Sequence, residues 1–206
     1  MPQPWRKKQT QDKYFRLAKS EGYRARSVYK LKEINDRFHL IRRGSVILDL
    51  GAAPGSWTQV AVELGARVIA VDLSEIAPLP GAQIIRGDIT KTETLDEIAT
   101  TLPRRADTVL SDVSPATSGV AFVDHARSIE LARASLKTAR QFLNRGGAFV
   151  VKVFDGEDFD EFVGEVKQYF GQVLVVRPEA SRRESNEHYV VGTGYESNYL
   201  EQKEKK

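Results

Sequence analysis

Short apolar runs alternate with longer stretches of helical periodicity between residues 44 and 192. The runs are rich in Val, Ile and Ala and have the length of buried strands. They predict seven strands, at residues 46–50, in the run that ends at Asp72, and at 82–86, 106–111, 148–154, 173–177 and 188–192. Apolar positions three and four residues apart predict helices at residues 12–21, 25–38, 56–64, 93–99, 124–143 and 158–170.

This alternation indicates an α/β fold, with a mostly parallel sheet and helices on both faces. The last two strands are joined by a connection too short for a crossover helix, so we expect them to form an antiparallel edge. Gly146 and Gly171 are expected to end the last two helices. Residues 116–123 have the small and polar composition of a flexible active-site loop. Ligands of such sheets bind beyond the carboxyl ends of the strands.

The turn after the first strand is unusually rich in small residues, with Gly51, Ala52, Ala53 and Gly55 around Pro54. Small residues let a ligand lie against the backbone. A dinucleotide fingerprint reads G-x-G-x-x-G, but Ala53 stands where its second glycine would approach a pyrophosphate. An ordinary βα turn is the alternative. The number of small residues favours a ligand site, and a dinucleotide fits this turn poorly.

Carboxylates follow the second and third strands. Asp72 comes 21 residues after Gly51, close to the spacing of an acid that binds ribose hydroxyls. Asp88 follows the third strand, where a carboxylate can accept a hydrogen bond from an adenine amino group. Together with the glycine turn, these residues describe a site for adenosine without phosphates, and S-adenosylmethionine is the common ligand of that kind.

Lys152 interrupts an apolar run that should be a buried central strand. An unpaired buried ammonium is costly, so Lys152 needs a partner or a lowered pKa. Asp112, at the end of the fourth strand, is the expected partner, and Glu187 opens the last strand. The alternatives are a lysine that only fills a gap, a carboxylate that only caps a loop and a glutamate that is a surface charge.

The positive charge is concentrated in residues 1–43, which hold 13 Lys and Arg against 4 Asp and Glu, whereas the whole chain has a net charge of +3. A basic arm on an acidic body indicates a polyanion as partner. Aromatic residues are interleaved with the cations, as in surfaces that stack bases and neutralise phosphates. The residues expected to bind RNA are Arg6, Lys7, Lys8, Arg24 and Arg26. A solvated helix face is the alternative.

The 206 residues are sufficient for one domain. We expect a basic helical extension at residues 1–43, whose first 11 residues look disordered, a core at 44–194 and a frayed tail at 195–206. The chain has no cysteine, no apolar run of membrane-spanning length and no secretory signal at its start. These features lead us to expect a cytoplasmic monomer with no membrane partner and no disulfide.

Several motifs resemble the FtsJ/RrmJ family of ribosomal RNA 2′-O-ribose methyltransferases. They are Asp-Leu-Gly-Ala-Ala-Pro-Gly-Ser-Trp at 49–57, Ser-Asp-Val-Ser-Pro at 111–115, Val-Val-Lys-Val-Phe at 150–154, Ser-Asn-Glu-His-Tyr at 185–189 and Tyr-Lys-Leu-Lys-Glu-Ile at 29–34. The resemblance implies a Rossmann-like S-adenosylmethionine-dependent methyltransferase fold. It implies a catalytic set of Lys30, Asp112, Lys152 and Glu187. It implies cofactor contacts at Gly55, Trp57, Asp72, Asp88 and Asp112, to which the turn adds Gly51. Ser56 departs from the family's more common glycine.

The catalytic set suits a ribose 2′-hydroxyl, a weak nucleophile that must lose its proton as it attacks. Lys152 serves either as a general base with a lowered pKa or as a charged group that stabilises the developing alkoxide. The sulfonium cofactor is already activated, so no metal is expected. The family resemblance implies a uridine ribose in large-subunit ribosomal RNA as the substrate, with transfer RNA or another RNA as the alternative.

Other functions fit less well. Pyrimidine C5 methylation needs a cysteine nucleophile, which the chain lacks. Adenine amino methylation would require an Asn/Asp-Pro-Pro-aromatic motif after the fourth strand, where residues 111–115 read Ser-Asp-Val-Ser-Pro. A small-molecule O-methyltransferase would not need the basic arm. A catalytically silent RNA-binding assembly factor would have no need for the four catalytic residues.

Overall fold

The computed structural model describes residues 12–182 and 185–197, which form seven strands and six helices. The strands are β1 Val46–Leu50, β2 Arg67–Asp72, β3 Ala82–Arg86, β4 Ala106–Ser111, β5 Leu143–Phe154, β6 Phe170–Val176 and β7 Glu187–Tyr195. The helices are α1 Lys13–Ser20, α2 Val28–Phe38, α3 Ser56–Glu63, α4 Thr92–Thr101, α5 Ala121–Phe142 and α6 Phe159–Lys167. The predicted disorder of residues 1–11 and most of the predicted tail lie outside the described residues.

All seven strands form one sheet in the order β3-β2-β1-β4-β5-β7-β6. The first five strands pair in parallel, whereas β7 is antiparallel to both β5 and β6. The prediction of a mostly parallel seven-stranded sheet with an antiparallel last strand is therefore confirmed. The position of β7 between β5 and β6 was not predicted, because the length of a connection gives strand direction but not strand order.

Helices cover both faces of the sheet. Side chains alternate between the two faces along each strand, and each face carries apolar side chains that a helix layer buries. Leu48 and Leu50 of β1 join the cluster that packs against α4, α5 and α6. Ile47 belongs to the opposite cluster, which includes buried residues of α2 and α3. Within the described part of the chain, no helix has the length and apolar character needed to cross a bilayer.

The boundary between α5 and β5 differs from the prediction. Helix α5 begins at Ala121, inside the predicted loop, and ends at Phe142. Strand β5 then begins at once, although its regular parallel pairing with β4 starts only at Ala148, opposite Thr108. Between these points, residues 144–147 bulge from the sheet. Gly146 therefore lies in a strand bulge and was wrongly predicted to stop a helix.

Helix α6 is shorter than predicted. It ends at Lys167, so Phe170 is the first residue of β6 and pairs with Tyr195. The Phe170 ring stacks on Phe149, with ring centroids 6.0 Å apart. Cross-strand packing thus outweighs the helical periodicity of Phe170. Strand β7 also includes the buried Tyr195, which the sequence had placed at the start of the tail.

Candidate active site

The carboxyl end of β1 continues into a tight turn that is hydrogen-bonded to β2. The backbone N–H groups of Gly51 and Ala52 donate to the carbonyl oxygen of Val71, at 2.8 and 3.1 Å. Gly51 has a φ of +67°, and a Cβ added there would lie 2.4 Å from the Val113 side chain. Any other residue would meet Val113, so this position needs glycine both for its conformation and for space.

A cavity of about 340 Å³ opens beside this turn, over the carboxyl ends of the first four strands. Its volume lies within the range of small-molecule sites. Gly51, Asp72, Asp88 and Asp112 line it, and Val113 and Leu131 add apolar surface. Four of the residues predicted to bind the cofactor are thus brought to one cavity at the strand ends.

The carboxylates of Asp72 and Asp88 are held by local backbone groups. Asp72 accepts hydrogen bonds from the N–H groups of Ala53 at 2.9 Å and Ser74 at 2.7 Å. Asp88 accepts two hydrogen bonds from Thr90, and these bonds lower the pKa of its carboxyl group. A carboxylate has about four acceptor sites, so both groups keep acceptor capacity for hydroxyl or amino groups of a ligand.

Asp49 is a buried carboxyl group beneath the turn. It is fully shielded from solvent, and its Oδ2 accepts a hydrogen bond from the Thr58 hydroxyl at 2.6 Å. Its Oδ1 has no hydrogen-bond partner among the described residues. Burial raises the pKa of Asp49 to about 7, and the carboxylates of Asp112 and Asp72 act in the same direction. Sequence reasoning missed this group, although an aspartate inside an apolar strand was a visible signal.

Lys152 and Asp112 form a buried ion pair at the rim of the cavity. The Lys152 ammonium, 8% exposed as a residue, donates to the carbonyl oxygen of Asp112 at 2.7 Å and to its Oδ1 at 3.0 Å. The pairing of β4 with β5 causes this contact, because Ser111 lies opposite Val151 and the next residues follow in register. The structure therefore brings together the pair predicted from the strand ends.

Tyr189 binds the same carboxylate from the neighbouring strand. Its hydroxyl donates to Asp112 Oδ1 at 2.7 Å, and it lies opposite Lys152 in the β5–β7 register. Tyr189 is fully buried, which raises the pKa of its phenol well above the usual value and keeps it a donor. The available signal was its spacing, since a residue two positions after Glu187 faces the same side of a strand.

Lys30 and Glu187 form a second buried ion pair in the same cluster. Lys30 comes from the first turns of α2, and Glu187 is the first residue of β7. The Lys30 ammonium also lies 5.8 Å from the centre of the Tyr189 ring. The four residues of the predicted catalytic set are thus joined into one cluster, with Tyr189 between the two pairs.

The electrostatics of the cluster fix the charge of Asp112. Burial alone would raise the pKa of its carboxyl group, but the ammonium groups of Lys152 and Lys30 and the hydrogen bond from Tyr189 outweigh that effect. The pKa of Asp112 is therefore below its usual value. An anion beside two ammonium groups at the cavity rim can hold a polar substrate group in a fixed position.

Two residues that the resemblance assigned to the cofactor do not line the cavity. Trp57 is buried, and its indole N–H donates to the carbonyl oxygen of Ser27 at 2.9 Å. Its ring lies 5.7 Å from that of Tyr189, so it supports both Tyr189 and the start of α2. Gly55 has a φ of +104°, and a Cβ there would lie 2.6 Å from the Arg24 guanidinium. Trp57 and Gly55 thus contact residues that flank the site and do not line the cavity itself.

The basic residues predicted to bind RNA divide into two groups. Arg6, Lys7 and Lys8 lie outside the described residues. Arg24 donates to the carbonyl oxygens of Pro54, Ala77 and Pro78, at 3.1, 2.8 and 2.9 Å. Arg26 is paired with Asp12 and donates to the carbonyl oxygen of Ala180. The guanidinium groups of Arg24 and Arg26 thus bind the protein's own chain in this structure.

The fold and the site together define a class. A doubly wound sheet with a glycine turn, acids after its second and third strands and a buried charge cluster after its fourth and fifth strands is typical of an α/β transferase that uses a nucleoside cofactor. A family model described as FtsJ-like methyltransferase matches residues 23–195. The chain belongs to this family, which confirms the resemblance seen in the motifs.

Relatives with curated names agree with this assignment. A ribosomal RNA large subunit methyltransferase E of Methanothrix thermoacetophila is 58% identical over 182 residues, which cover 88% of this chain and 71% of that protein. A protein of the same name from Archaeoglobus fulgidus is 51% identical over 185 residues, covering 90% of this chain and 96% of the relative. A crystal structure described as a ribosomal RNA methyltransferase, from Plasmodium falciparum, superposes with a TM-score of 0.77 at 28% identity and covers 84% of this chain and 98% of that one.

Proposed function

We propose that the protein methylates the 2′-hydroxyl of a ribose, a uridine in large-subunit ribosomal RNA, with S-adenosylmethionine as methyl donor. One observation carries this proposal. Asp112 lines the small-molecule cavity and also belongs to the buried cluster of two lysines and two carboxylates. A single carboxylate thus connects the cofactor cavity with groups that act on a hydroxyl. The names of the relatives support ribosomal RNA as the substrate.

The cavity fits an adenosine cofactor in volume and in chemistry. Asp72 would bind the ribose hydroxyls and Asp88 would accept from the adenine amino group, and the turn at Gly51 lines the same cavity. S-adenosylmethionine supplies a methyl group already activated by its sulfonium charge. The acids of the cavity, and Ala53 at the position where a dinucleotide fingerprint has its second glycine, also disfavour a phosphate-bearing ligand there. Gly55, Trp57 and Arg24 would support the cofactor turn without touching the ligand.

Lys152 is the residue that acts on the ribose oxygen. Two of its three donor positions are used on Asp112, which leaves one for another group. During transfer, an O–C bond forms at the 2′-oxygen, the S–C bond breaks, and the 2′-proton must leave. Lys152 either takes that proton as a neutral amine or stabilises the developing alkoxide as an ammonium. Lys30 and Glu187 hold Tyr189 and Asp112 in place beside it.

The remaining expectations form part of the proposal. We infer that the protein is cytoplasmic. We also infer that it acts as a monomer, since the charge cluster is complete within one chain. Arg6, Lys7 and Lys8 are proposed to contact RNA. For Arg24 and Arg26, the bonds to the protein's own chain favour a role in holding the N-terminal segment against the site.

Methyl transfer and product mapping test the proposal. Protein, methyl-labelled S-adenosylmethionine and either unmethylated large-subunit ribosomal RNA or assembled large subunits are combined, and the product is digested to nucleosides. We expect label in 2′-O-methyluridine, and mapping of the site identifies one nucleotide. Label on a base, or on transfer RNA alone, would overturn the assignment.

The cofactor part has its own readout. Calorimetric titration should show S-adenosylmethionine binding, which Asp72→Ala weakens. Substitution of Glu75, an exposed residue outside the cavity lining, provides the control variant. Tighter binding of NAD than of S-adenosylmethionine would contradict the cofactor assignment.

A further inference from the structure

A second large depression lies at the opposite edge of the sheet, at the amino ends of the parallel strands. It has a volume of about 720 Å³, and its floor includes Ser45, Thr108 and Ala148, which start or precede the regular pairing of β1, β4 and β5. We call it the basic groove, because five arginines line it: Arg37, Arg42, Arg43, Arg104 and Arg145. The proposed catalytic residues do not extend to this edge.

The strand bulge before Ala148 shapes the groove. Residues 144–147 leave the β4–β5 ladder, and Gly146 and Gly147 place backbone without side chains at the groove surface. A Cβ at Gly147 would lie 2.9 Å from Asn144 Oδ1 and 3.0 Å from the carbonyl oxygen of Asp107. A larger residue would therefore collide with Asn144 and Asp107, so the close packing of the bulge against the end of β4 requires glycine at this position.

Only part of the positive charge in the groove is neutralised. Arg104 is paired with Asp107, and Arg145 is paired with Glu196 at 3.0 Å. Arg37, Arg42 and Arg43 are exposed and form no ion pair with any residue in 12–182 or 185–197. The latter three cations lie at the end of α2 and in the connection that leads to β1. Their charge is available to an external anion.

We propose that the basic groove binds the sugar-phosphate backbone of the RNA substrate, at a second contact remote from the methyl-transfer site. The inference rests on the proposed RNA substrate. A chain of phosphates matches guanidinium groups that are spread over a helix end, a loop and a strand bulge, because arginine binds phosphate oxygens through its fork of N–H donors. A single phosphate would occupy only a small part of the groove.

The structure disfavours a membrane as the anionic partner. Surface-bound proteins insert apolar side chains beside their cations. The large apolar side chains that are exposed in the described chain are Leu17, Leu64, Leu73, Val120, Phe122 and Val175, and none of them lines the basic groove. The groove instead adds the amide groups of Asn144 and Gln172, which can bond to ribose or to base edges.

Helix α2 connects the basic groove to the charge cluster. Lys30 in its first turn belongs to the cluster, and Arg37 in its last turn lines the groove. Seven residues of α-helix rise about 10 Å. Strand β5 gives a similar separation, because Ala148 and Lys152 are four residues apart, about 13 Å along a strand. An RNA that fills both sites must therefore span at least this distance around the α2 side of the protein.

Two charge-matched double variants test the proposal. Arg42→Gln/Arg43→Gln removes two groove cations, and Lys137→Gln/Lys167→Gln removes two exposed lysines from α5 and α6, on the other face of the sheet. Thermal unfolding and S-adenosylmethionine titration first verify that both proteins are folded. Binding of a large-subunit ribosomal RNA fragment is then measured over a range of salt concentrations.

We expect the groove variant to bind the fragment about tenfold more weakly, with a slope of log K against log salt that is shallower by about 1.4–1.8, the contribution of two phosphate contacts. The lysine variant should bind like the unmodified protein. In methyl transfer, the groove variant should have a raised KM for the fragment and an unchanged kcat. With a hexanucleotide that contains the target uridine, both variants should match the unmodified protein.

Equal salt slopes in all three proteins would overturn the proposal, as would equal weakening by the lysine variant, which would indicate a net-charge effect. Binding of the unmodified protein to phosphatidylserine vesicles that is lost only in the groove variant, with RNA binding unchanged, would assign the groove to a membrane. If the unmodified protein transfers no methyl group to RNA, the proposed function fails, while the fragment-binding comparison still decides the groove.

Discussion

Cations occur at both edges of the sheet, but in opposite environments. At the carboxyl edge, Lys30 and Lys152 are buried and each is paired with a carboxylate. At the amino edge, Arg37, Arg42 and Arg43 are exposed and have no acidic partner within the described residues. The same sign of charge is thus fixed in position at one edge and left accessible at the other.

This difference indicates that the buried and the exposed cations have different functions. A buried ion pair loses its hydration, and the attraction between its charges offsets that cost only when the geometry is good. Such a pair therefore contributes little net stability, but it holds its groups rigidly. Exposed unpaired cations contribute little to a fixed geometry. They attract a polyanion over about a Debye length, and salt weakens this attraction. The carboxyl edge of the sheet is therefore suited to catalysis, and the amino edge is suited to binding a polyanion.

The largest expected effect comes from removing a buried cation. Lys152→Ala should reduce methyl transfer by about 10²–10⁴-fold, the usual contribution of a positioned proton-transfer group, while S-adenosylmethionine binding persists because Asp72 and Asp88 are unchanged. Single-turnover transfer and calorimetric titration measure the two quantities. Full activity would remove Lys152 from the mechanism.

The substitution Lys152→Arg sharpens that result. It keeps the charge beside Asp112 but cannot accept a proton, because guanidinium does not deprotonate in proteins. Low activity in this folded variant supports a general base. Near-normal activity would leave only the electrostatic role for Lys152.

A smaller effect is expected for Arg24, a cation that belongs to neither group because it binds backbone carbonyls. Arg24→Ala should weaken S-adenosylmethionine binding about tenfold, or about 1.4 kcal/mol, close to the lower end of the range for hydrogen bonds to a charged group. RNA affinity should change no more than in Arg16→Ala, an exposed control from α1. Titrations with cofactor and RNA measure both. A loss confined to RNA affinity would instead support the sequence-based prediction that Arg24 binds RNA.

An effect on stability alone, with no change in catalysis, is expected for Asp49, a buried carboxyl group at the carboxyl edge that no cation neutralises among the described residues. Its pKa of about 7 in the folded protein exceeds its usual value, so the folded state holds the extra proton and stability falls as pH rises from about 4 to about 7. Asp49→Asn keeps an acceptor for Thr58 but does not titrate. It should become relatively more stable towards pH 7, by at most about 1.4 kcal/mol per pH unit.

Urea unfolding at pH 5, 6 and 7.5 measures the free-energy difference between Asp49→Asn and the unmodified protein. We expect this difference to grow with pH in that window. A difference that stays constant would show that Asp49 does not titrate there.

The sequence predicted those features that depend on strand ends. Asp72, Asp88 and Asp112 follow apolar runs that could be recognised locally, and parallel strands bring their carboxyl ends to one edge. The fold class and the family are confirmed on that basis. Lys152 was recognisable because a charge within an apolar strand requires a partner. The roles of these site residues stay predictions.

Features that depend on distant contacts could not be predicted in the same way. The bonds of Arg24 join residues about 30 and 54 positions apart, and composition alone placed this arginine on RNA. The basic groove depends on a register shift between β4 and β5 that no local pattern encodes. Phe170 fitted a helical stripe, but its partners Phe149 and Tyr195 made it a strand residue.

The insertion of β7 between β5 and β6 sets the order in which the molecule assembles. β5 and β6 are not bonded to each other, and both precede in the chain the strand that joins them. Glu187 meets Lys30 across 157 positions of sequence, and contacts of such separation close slowly. During synthesis, chains fold as their segments emerge, so the strand that completes the charge cluster arrives after the rest of the sheet. A nascent chain therefore lacks the complete cluster until its sheet has closed.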